Sequence, residues 1–275
     1  MKGIIISILG ASLNFLSYFS SNKATHIAVS IFTSPRKGKI LETQTDFLNS
    51  AKKEQRFYKD LSIMTYHWEG KNKTILLAHG WESNAFRWKE LITEFQKHDH
   101  KIIALDAPAH GNSGSKMFNA ILYSEFINSV TYKFNPEVII GHSVGGMATV
   151  FSEFKNRHEA VKKLVLLGAP DHFTDVLQRY VNLMRFNQRI HKQLHQVVHD
   201  RFGNYPDYYS TSKFSKILDA EGLIVHDERD RIIPYSDGES IARSFNNSKF
   251  ISTKGHGHSL KDKTITTAII DFIQS

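Results

Sequence analysis

The chain has 275 residues, 41% of them hydrophobic, which is enough to build the core of a single α/β domain. It contains no cysteine, so disulfides, thiolate nucleophiles and cysteine-ligated zinc are excluded. The formal charge at pH 7 is +8, but the 35 Lys and Arg residues are scattered and form no run of five or more. No nucleic-acid-binding motif occurs, and we expect no nucleic-acid partner.

The first 38 residues are predicted to form an N-terminal helical extension. The apolar stretch from Ile4 to Phe19 is shorter than the about 20 apolar residues that span a membrane. We predict a helix that is retained and either packs on the body of the protein or makes peripheral contact with a membrane surface. Its small and polar residues share one helical stripe: Ser7, Gly10, Asn14, Ser17 and Ser21.

The alternative interpretation of this stretch is a secretory signal, although no good cleavage site follows it. The lack of cysteine fits a reducing cytosol. We therefore expect a cytoplasmic protein, with membrane association or export through the apolar N-terminus as the alternatives. A second short helix is predicted over residues 24–34, ended by Pro35.

Residues 39–275 have the pattern of one α/β domain. Leu61–Trp68 alternates apolar and polar residues, which indicates a half-exposed strand. Short apolar runs typical of strands buried in a parallel sheet follow at Thr74–Ala78, Lys101–Leu105, Glu137–Ile140, Val161–Leu167, Gly222–His226 and Lys249–Ser252. Helical periodicity separates them at Phe86–His98, Phe118–Phe134, Val144–His158, Pro234–Phe245 and Leu260–Ile273. This alternation predicts a mostly parallel central sheet flanked by helices.

Residues 171–216 form a connection that is far longer than usual in such a domain. An apolar stripe at helical spacing, from Leu177 to Val197, predicts an inserted helical lid. Three histidines recur every four residues at His191, His195 and His199; we favour a solvated or substrate-facing surface over a zinc site. If the lid overhangs the site, its basic residues would favour an anionic substrate: Arg179, Arg185, Arg189, Lys192 and Arg201.

The strongest local motif is Gly141-His142-Ser143-Val144-Gly145, a G-x-S-x-G sequence between a buried apolar run and a helical segment. This strand–turn–helix setting is that of a nucleophile elbow, and the alternative is a Gly-rich turn in an ordinary α/β protein. The glycines fit a crowded, strained turn in which larger side chains would clash. We predict that Ser143 is a nucleophile at a helix N-terminus.

Together with the segments that follow, this motif makes the chain from about residue 60 to 275 resemble the α/β-hydrolase superfamily. His79-Gly80-Trp81 resembles the HG-x oxyanion loop of that family. The resemblance implies an oxyanion hole formed by the backbone N–H groups of Trp81 and Val144.

A further segment, Asp106–Ser113, resembles the family pattern D-x-P-G-H-G-x-S. Ala109 stands where the family usually has glycine. The resemblance implies a structural turn, with no catalytic role for Asp106 or His110.

The segment His226–Pro234 resembles the family pattern in which the last acid before x-x-V/I-P belongs to the catalytic triad. That pattern implies Asp230 as the acid. Asp227 and Glu228 are the competing carboxylates.

Likewise, Lys254–Leu260 resembles the family's G-x-G-H segment and implies His258 as the catalytic base. His256 on the same loop is the competitor. The H-x-H pair is also a metal-ligand pattern, but no third and fourth ligand with supporting spacing occurs, and we expect no metal.

The chain order Ser143, Asp230, His258 is the order of the triad in this fold. The resemblance implies a serine hydrolase, and we expect a carboxylic-ester hydrolase that acts on small or medium acyl esters without a cofactor. The alternatives are a carbon–carbon bond hydrolase or a thioesterase of the same fold, or a ligand-binding member without activity.

Overall fold

The computed structural model describes residues 2–275, with side chains from Ile4 onward. The chain divides into two compact units. One contains the chain up to Ser34 together with His172–Ser210, and the other contains Pro35–Asp171 and Thr211–Ser275. The N-terminal helices and the insertion, which the sequence treats as separate segments, therefore belong to the same unit.

The larger unit contains an eight-stranded sheet. In chain order its strands are β1 Lys52–Tyr58, β2 Leu61–Trp68, β3 Asn72–Ala78, β4 His100–Leu105, β5 Val138–His142, β6 Lys163–Leu167, β7 Glu221–Asp227 and β8 Ser248–Thr253. The spatial order is β1-β2-β4-β3-β5-β6-β7-β8. The pairs β1–β2 and β2–β4 are antiparallel, and all other neighbours are parallel.

The helices complete the α/β pattern. They are α1 Lys2–Phe19, α2 Ser21–Thr33, α3 Glu42–Asn49, α4 Lys89–Lys97, α5 Ala120–Phe134, α6 Val144–Asn156, α7 Phe173–Met184, α8 Gln188–Phe202, α9 Thr211–Ser215, α10 Tyr235–Ser244 and α11 Lys263–Gln274. The predicted α/β fold with a mostly parallel sheet between helices is confirmed. Every residue of β5 and β6 is buried, as expected for strands covered on both faces.

Two sequence interpretations need correction. The second half of β2, Thr65–Trp68, is buried and not half-exposed. The reason is that both faces of this part of the strand are covered. The ring of His67 packs edge-on against Phe134 of α5, and its Nε2 lies 2.8 Å from the hydroxyl of Thr65. Tyr66 and Trp68, on the other face, belong to the apolar core. Strand β1 was missed because its residues are mostly polar and alternate between exposed and half-buried at the edge of the sheet.

The parallel strands place four loops at the same edge of the sheet. The loops that follow β3, β5, β7 and β8 all leave from carboxyl ends, and these loops carry the motifs identified in the sequence. In open α/β sheets ligands bind at this edge. The topology therefore gathers segments that lie far apart in the chain.

In the smaller unit, α1 and α2 pack with α7 and α8 around an apolar cluster that includes Leu13, Ala28, Leu177 and Ile190. The predicted polar stripe of α1 faces inward. At Gly10 an added Cβ would lie 1.9 Å from the carbonyl oxygen of Met184, so only glycine permits this close approach. Among the helices of residues 2–275, none has the length and apolar character needed to cross a bilayer.

Candidate active site

Ser143 occupies a strained turn between β5 and α6, with φ 54° and ψ −128°. The glycines on either side are required by crowding. A Cβ at Gly141 would lie 2.5 Å from the Cα of Gly146, and one at Gly145 would lie 2.3 Å from the carbonyl oxygen of Ala78. The tight turn thus depends on the absence of side chains two residues before and two residues after the serine.

Ser143, His258 and Asp230 form a continuous hydrogen-bonded chain. The Nε2 atom of His258 lies 3.0 Å from the Oγ of Ser143, and its Nδ1 lies 2.7 Å from Oδ2 of Asp230. An ionised Asp230 accepts the hydrogen bond from Nδ1–H, which leaves Nε2 free to accept from the serine hydroxyl. The three side chains proposed from the sequence therefore meet in one place, although 115 residues separate Ser143 from His258.

Asp230 is held as a carboxylate by its surroundings. Burial raises the pKa of this carboxyl group, but hydrogen bonds from His258 and from the amides of Ile233 and Ile232 outweigh burial and hold the pKa below its ordinary value. Oδ1 accepts from the amides of Ile232 at 2.8 Å and Ile233 at 3.0 Å, so Oδ2 remains for the histidine. The turn after β7 thus fixes both the charge and the direction of this side chain.

The loop after β3 touches the serine directly. A Cβ added at Gly80 would lie 2.9 Å from the Cβ of Ser143, so this glycine allows the loop to pass against the elbow. Among the hydrogen bonds of the described residues, the amide of Trp81 and the amide of Val144 donate to no protein acceptor. Both backbone N–H groups therefore have no hydrogen-bond acceptor among the described residues.

Comparison with known proteins finds α/β-hydrolase relatives. The family model described as alpha/beta hydrolase fold matches residues 73–184. The uncharacterized hydrolase YugF of Bacillus subtilis is 23% identical over 268 residues, which cover 80% of this chain and 97% of that protein. The (E)-2-((N-methylformamido)methylene)succinate hydrolase of Acinetobacter baylyi is 31% identical over 108 residues, which cover 38% of this chain and 40% of that protein.

Among solved structures, the mouse alpha/beta hydrolase domain-containing protein 10 superposes with a TM-score of 0.62. It is 16% identical, and the match covers 82% of this chain and 97% of that chain. The chain has the α/β-hydrolase fold, and its residues 73–184 match the model of that family. The two relatives named above are both called hydrolases.

The residues that compete with His258 and Asp230 in the sequence lie elsewhere in the structure. His256 does not reach Ser143; its Nδ1 lies 3.7 Å from a carboxylate oxygen of Asp262. Asp227 does not contact His258 but accepts hydrogen bonds from the amide of His256 and the hydroxyl of Thr253, both at 2.9 Å. Asp227 thus stabilises the first residues of the loop that carries His258.

The third competing carboxylate, Glu228, is an exposed side chain whose Oε2 lies 3.2 Å from the Nζ of Lys254. An ion pair of this kind at the surface contributes little to stability. Glu228 makes no contact with the hydrogen-bonded chain of Ser143, His258 and Asp230 in the described structure.

Sequence reasoning missed His142, the residue between the first glycine and the serine of the elbow. Its Nε2 donates to the backbone carbonyl of His258 at 2.8 Å, and the two rings are 4.9 Å apart between centroids. Burial holds the pKa of His142 well below its ordinary value, so the ring stays neutral. The sequence feature that could have identified His142 is its position directly before Ser143 in the motif.

Gly168, at the end of β6, was also missed. It has a positive φ of 56°, and an added Cβ would lie 3.5 Å from both Asp230 Oδ2 and His258 Nδ1. These distances are ordinary van der Waals contacts, so the positive φ is what favours glycine at this position.

The segment Asp106–Ser113 has the structural contacts that the sequence suggested. Asp106 is fully buried and accepts from the amide of Ala85 and the hydroxyl of Tyr66, both at 2.9 Å. Both ring nitrogens of His110 are occupied, since Nδ1 bonds the carbonyl of Pro108 and Nε2 accepts from the amide of Glu82. Burial lowers the pKa of His110 to about 4, so its ring stays neutral.

His79 connects the loop that follows β3 with the loop that follows β4. Its Nδ1 donates to the carbonyl of Gly80 at 2.7 Å, and its Nε2 accepts from the amide of Ala107 at 2.9 Å. Burial lowers the pKa of His79 to about 4, which keeps it in this neutral tautomer. The position of the Trp81 amide therefore depends on a buried histidine.

The helical histidines of the insertion do not form a ligand cluster. On α8 the rings of His191 and His195 pack edge to face, and the ring of His199 stacks on Tyr205. Over the described part of the chain, no group of three or more His, Cys, Asp or Glu residues is arranged to hold a metal ion.

Proposed function

We propose that this protein is a serine hydrolase that cleaves carboxylic esters with small or medium acyl groups through an acyl-enzyme. The observation that carries the proposal is the hydrogen-bonded chain from Ser143 through His258 to Asp230. A hydroxyl, an imidazole and a carboxylate in this order activate the hydroxyl as a nucleophile.

In the proposed first step, the Oγ of Ser143 attacks the carbonyl carbon of the ester while its proton passes to Nε2 of His258. The carbonyl oxygen becomes an oxyanion, which the amides of Trp81 and Val144 bind. Each such donor is worth on the order of 3 kcal/mol in the transition state. The N-terminus of α6 adds favourable potential at the same place.

His258 then returns its proton to the leaving alcohol, and the ester C–O bond breaks. In the second half of the reaction a water molecule gives a proton to His258 and attacks the acyl group. The acid product leaves with one oxygen of the water, and Ser143 regains its proton. Asp230 keeps the imidazole in the required tautomer and stabilises its positive charge throughout.

A series of p-nitrophenyl esters from acetate to laurate, assayed with the wild type and Ser143→Ala, tests this proposal. We expect turnover of short or medium esters that falls by at least about 10³-fold in Ser143→Ala. Ser236→Ala, which removes an exposed hydroxyl on α10, is the matched control and is expected to retain full turnover.

The same series discriminates the alternatives. An acyl thioester that is hydrolysed much faster than the matching ester would shift the assignment to a thioesterase. No turnover of any ester, together with saturable binding of one, would contradict catalysis. A carboxylate-bearing ester is included because the Acinetobacter baylyi relative is named for a succinate derivative and the insertion carries several basic residues.

A further inference from the structure

Helix α1 exposes large apolar side chains, whereas several of its small and polar residues are packed against the protein. Gly10 and Ser17 are buried on its inward side beside Leu13, and the partly buried side chains of Ile6, Leu9 and Leu16 pack against the same apolar cluster. The side chain of Asn14 donates to the carbonyl of Arg185 and accepts from the amide of Asn187, both at 2.8 Å. The Oγ of Ser17 accepts from Nδ2 of Asn187 at 2.9 Å. These hydrogen bonds fix the rotation of α1 about its own axis.

The outward side of α1 carries large apolar side chains before and after the exposed Ala11 and Ser12. Ile4, Ile8, Phe15 and Phe19 follow one another at helical spacing and are 61–75% exposed. Ile5 and Tyr18 widen the same face and are exposed to a similar extent. We call these six residues the α1 apolar face. Contiguous exposed apolar faces of this kind mark interaction surfaces.

The charge of the same unit is complementary to an anionic surface. Its two segments contain seven Lys and Arg residues, three Asp residues and no Glu. Arg189 is exposed, and its guanidinium lies 4.9 Å from the centre of the Tyr18 ring, which places a cation at the border of the α1 apolar face. Arg185 and Lys23 are also exposed.

Small and hydrogen-bonded polar residues at the packed side and large apolar residues at the exposed side are features that helices in contact with lipid share. Since α1 is too short to span a bilayer, an orientation parallel to the membrane remains. An apolar face bordered by arginine is the composition of helices that bind anionic membrane surfaces in this way.

We propose that the α1 apolar face inserts into the interface of a bilayer that contains anionic lipids, with Arg185, Arg189 and Lys23 at the level of the headgroups. This inference is independent of the chemistry proposed for Ser143, since it uses no residue of that site.

The test is co-sedimentation of the full chain, tagged at the carboxyl end, with vesicles of phosphatidylcholine alone or mixed with phosphatidylglycerol. We expect binding to the mixed vesicles that weakens as salt screens the charges. Ile8→Ser/Phe15→Ser/Phe19→Ser is expected to lower the partition coefficient at least about tenfold, because three apolar side chains no longer enter the interface. Tyr132→Ser, which changes a 79% exposed aromatic residue on α5, is the matched control and should bind like the wild type.

Two variants, each with two charge reversals, test the role of the basic residues. Arg185→Glu/Arg189→Glu is expected to reduce binding to the anionic vesicles strongly, whereas Lys37→Glu/Lys116→Glu, two exposed lysines of the larger unit, should have a small effect. Because all changed side chains are exposed, circular dichroism should be unchanged in every variant.

The proposal is overturned if the wild type does not bind mixed vesicles at low salt, or if the triple serine variant binds as well as the wild type. It is also overturned if light scattering shows a dimer that the triple variant converts to a monomer, with no vesicle binding. That last result would assign the α1 apolar face to contact between copies of the chain.

Discussion

At Ser143 the backbone has a conformation that residues other than glycine rarely adopt, with φ 54°. Such conformations cost on the order of 1–3 kcal/mol and persist where the surrounding structure imposes them. Here the surrounding contacts are those of Gly141, Gly145 and Gly80, each of which has backbone or side-chain atoms where a Cβ would be. The strain holds the hydroxyl at the tip of the turn, where His258 can reach it.

This strain predicts different effects for two substitutions that both remove the hydroxyl. Ser143→Ala keeps the Cβ and the strain, so its free energy of unfolding should stay close to that of the wild type. Ser143→Gly releases the strain, and its free energy of unfolding should exceed that of Ser143→Ala by about 1 kcal/mol. This figure already allows for the greater flexibility of glycine in the unfolded chain, which lowers stability. Urea denaturation of the three proteins measures the difference, and equal midpoints for both variants would show that the turn is not strained.

Asp230 offers a second prediction at the level of a single residue. In Asp230→Asn the amide cannot stabilise an imidazolium as a carboxylate does, and its NH₂ group can donate to Nδ1 and favour the wrong tautomer. We expect kcat for an ester to fall about 10³- to 10⁴-fold, with a small change in stability. Glu228→Gln, on the same turn, should leave kcat unchanged. Similar losses of kcat in the two variants would contradict the assignment of Asp230 as the acid.

At the scale of elements, the loop between β8 and α11 depends on a carboxylate that takes no part in the proposed chemistry. Asp227, the last residue of β7, accepts hydrogen bonds from the amides of His256 and Arg229. Burial by itself would raise the pKa of Asp227, but these bonds and those from Thr253 and Gly255 hold it down to about 2.

The lowered pKa sets the direction of a pH effect on stability. Because the folded-state pKa lies below the ordinary value of 3.8, the contribution of Asp227 is fully present above about pH 4. It is lost as the pH falls from about 4 towards 2. Asp227→Asn should therefore be less stable than the wild type at pH 6, and the difference should shrink on acidification; thermal unfolding at pH 6, 4 and 3 measures it, and a constant difference would contradict the assignment.

The same loop shows what sequence patterns can and cannot decide. The motifs limited the base to His258 or His256, and a pattern common to the family favoured the former. The difference between them is the path of the backbone after Gly257, which has a positive φ, and the anchoring of the loop by the buried Leu260, also at positive φ. These conformations are set by packing and have no signature in local periodicity.

At the scale of the whole molecule, the fold could be predicted because a parallel sheet buries its strands on both faces and so produces continuous apolar runs. Strand β1 has no such run and was missed. The association of α1 with α7 and α8 was also beyond prediction, since the contact between Asn14 and Asn187 joins positions 173 residues apart. The polar stripe indicated that α1 has a partner on that side but not which segment provides it.

The candidate site could be predicted further than the surrounding structure because its residues must satisfy chemistry as well as packing. Ser143 and its glycines are specified by the turn, and Asp230 and His258 by loops at the carboxyl ends of strands. Supporting groups such as His142 and Gly168 act through the shape of the site. Their proximity to His258 results from the fold and has no motif in the sequence.

The proposed hydrolysis requires a covalent bond between Ser143 and the acyl group during turnover. Acid quenching of the reaction with a p-nitrophenyl ester, followed by mass spectrometry of the intact protein and its peptides, tests this most directly. We predict the addition of one acyl group, located on the peptide that contains Ser143 and absent from Ser143→Ala. Ester hydrolysis with no acyl group on that peptide, or with an undiminished rate in Ser143→Ala, would contradict the account.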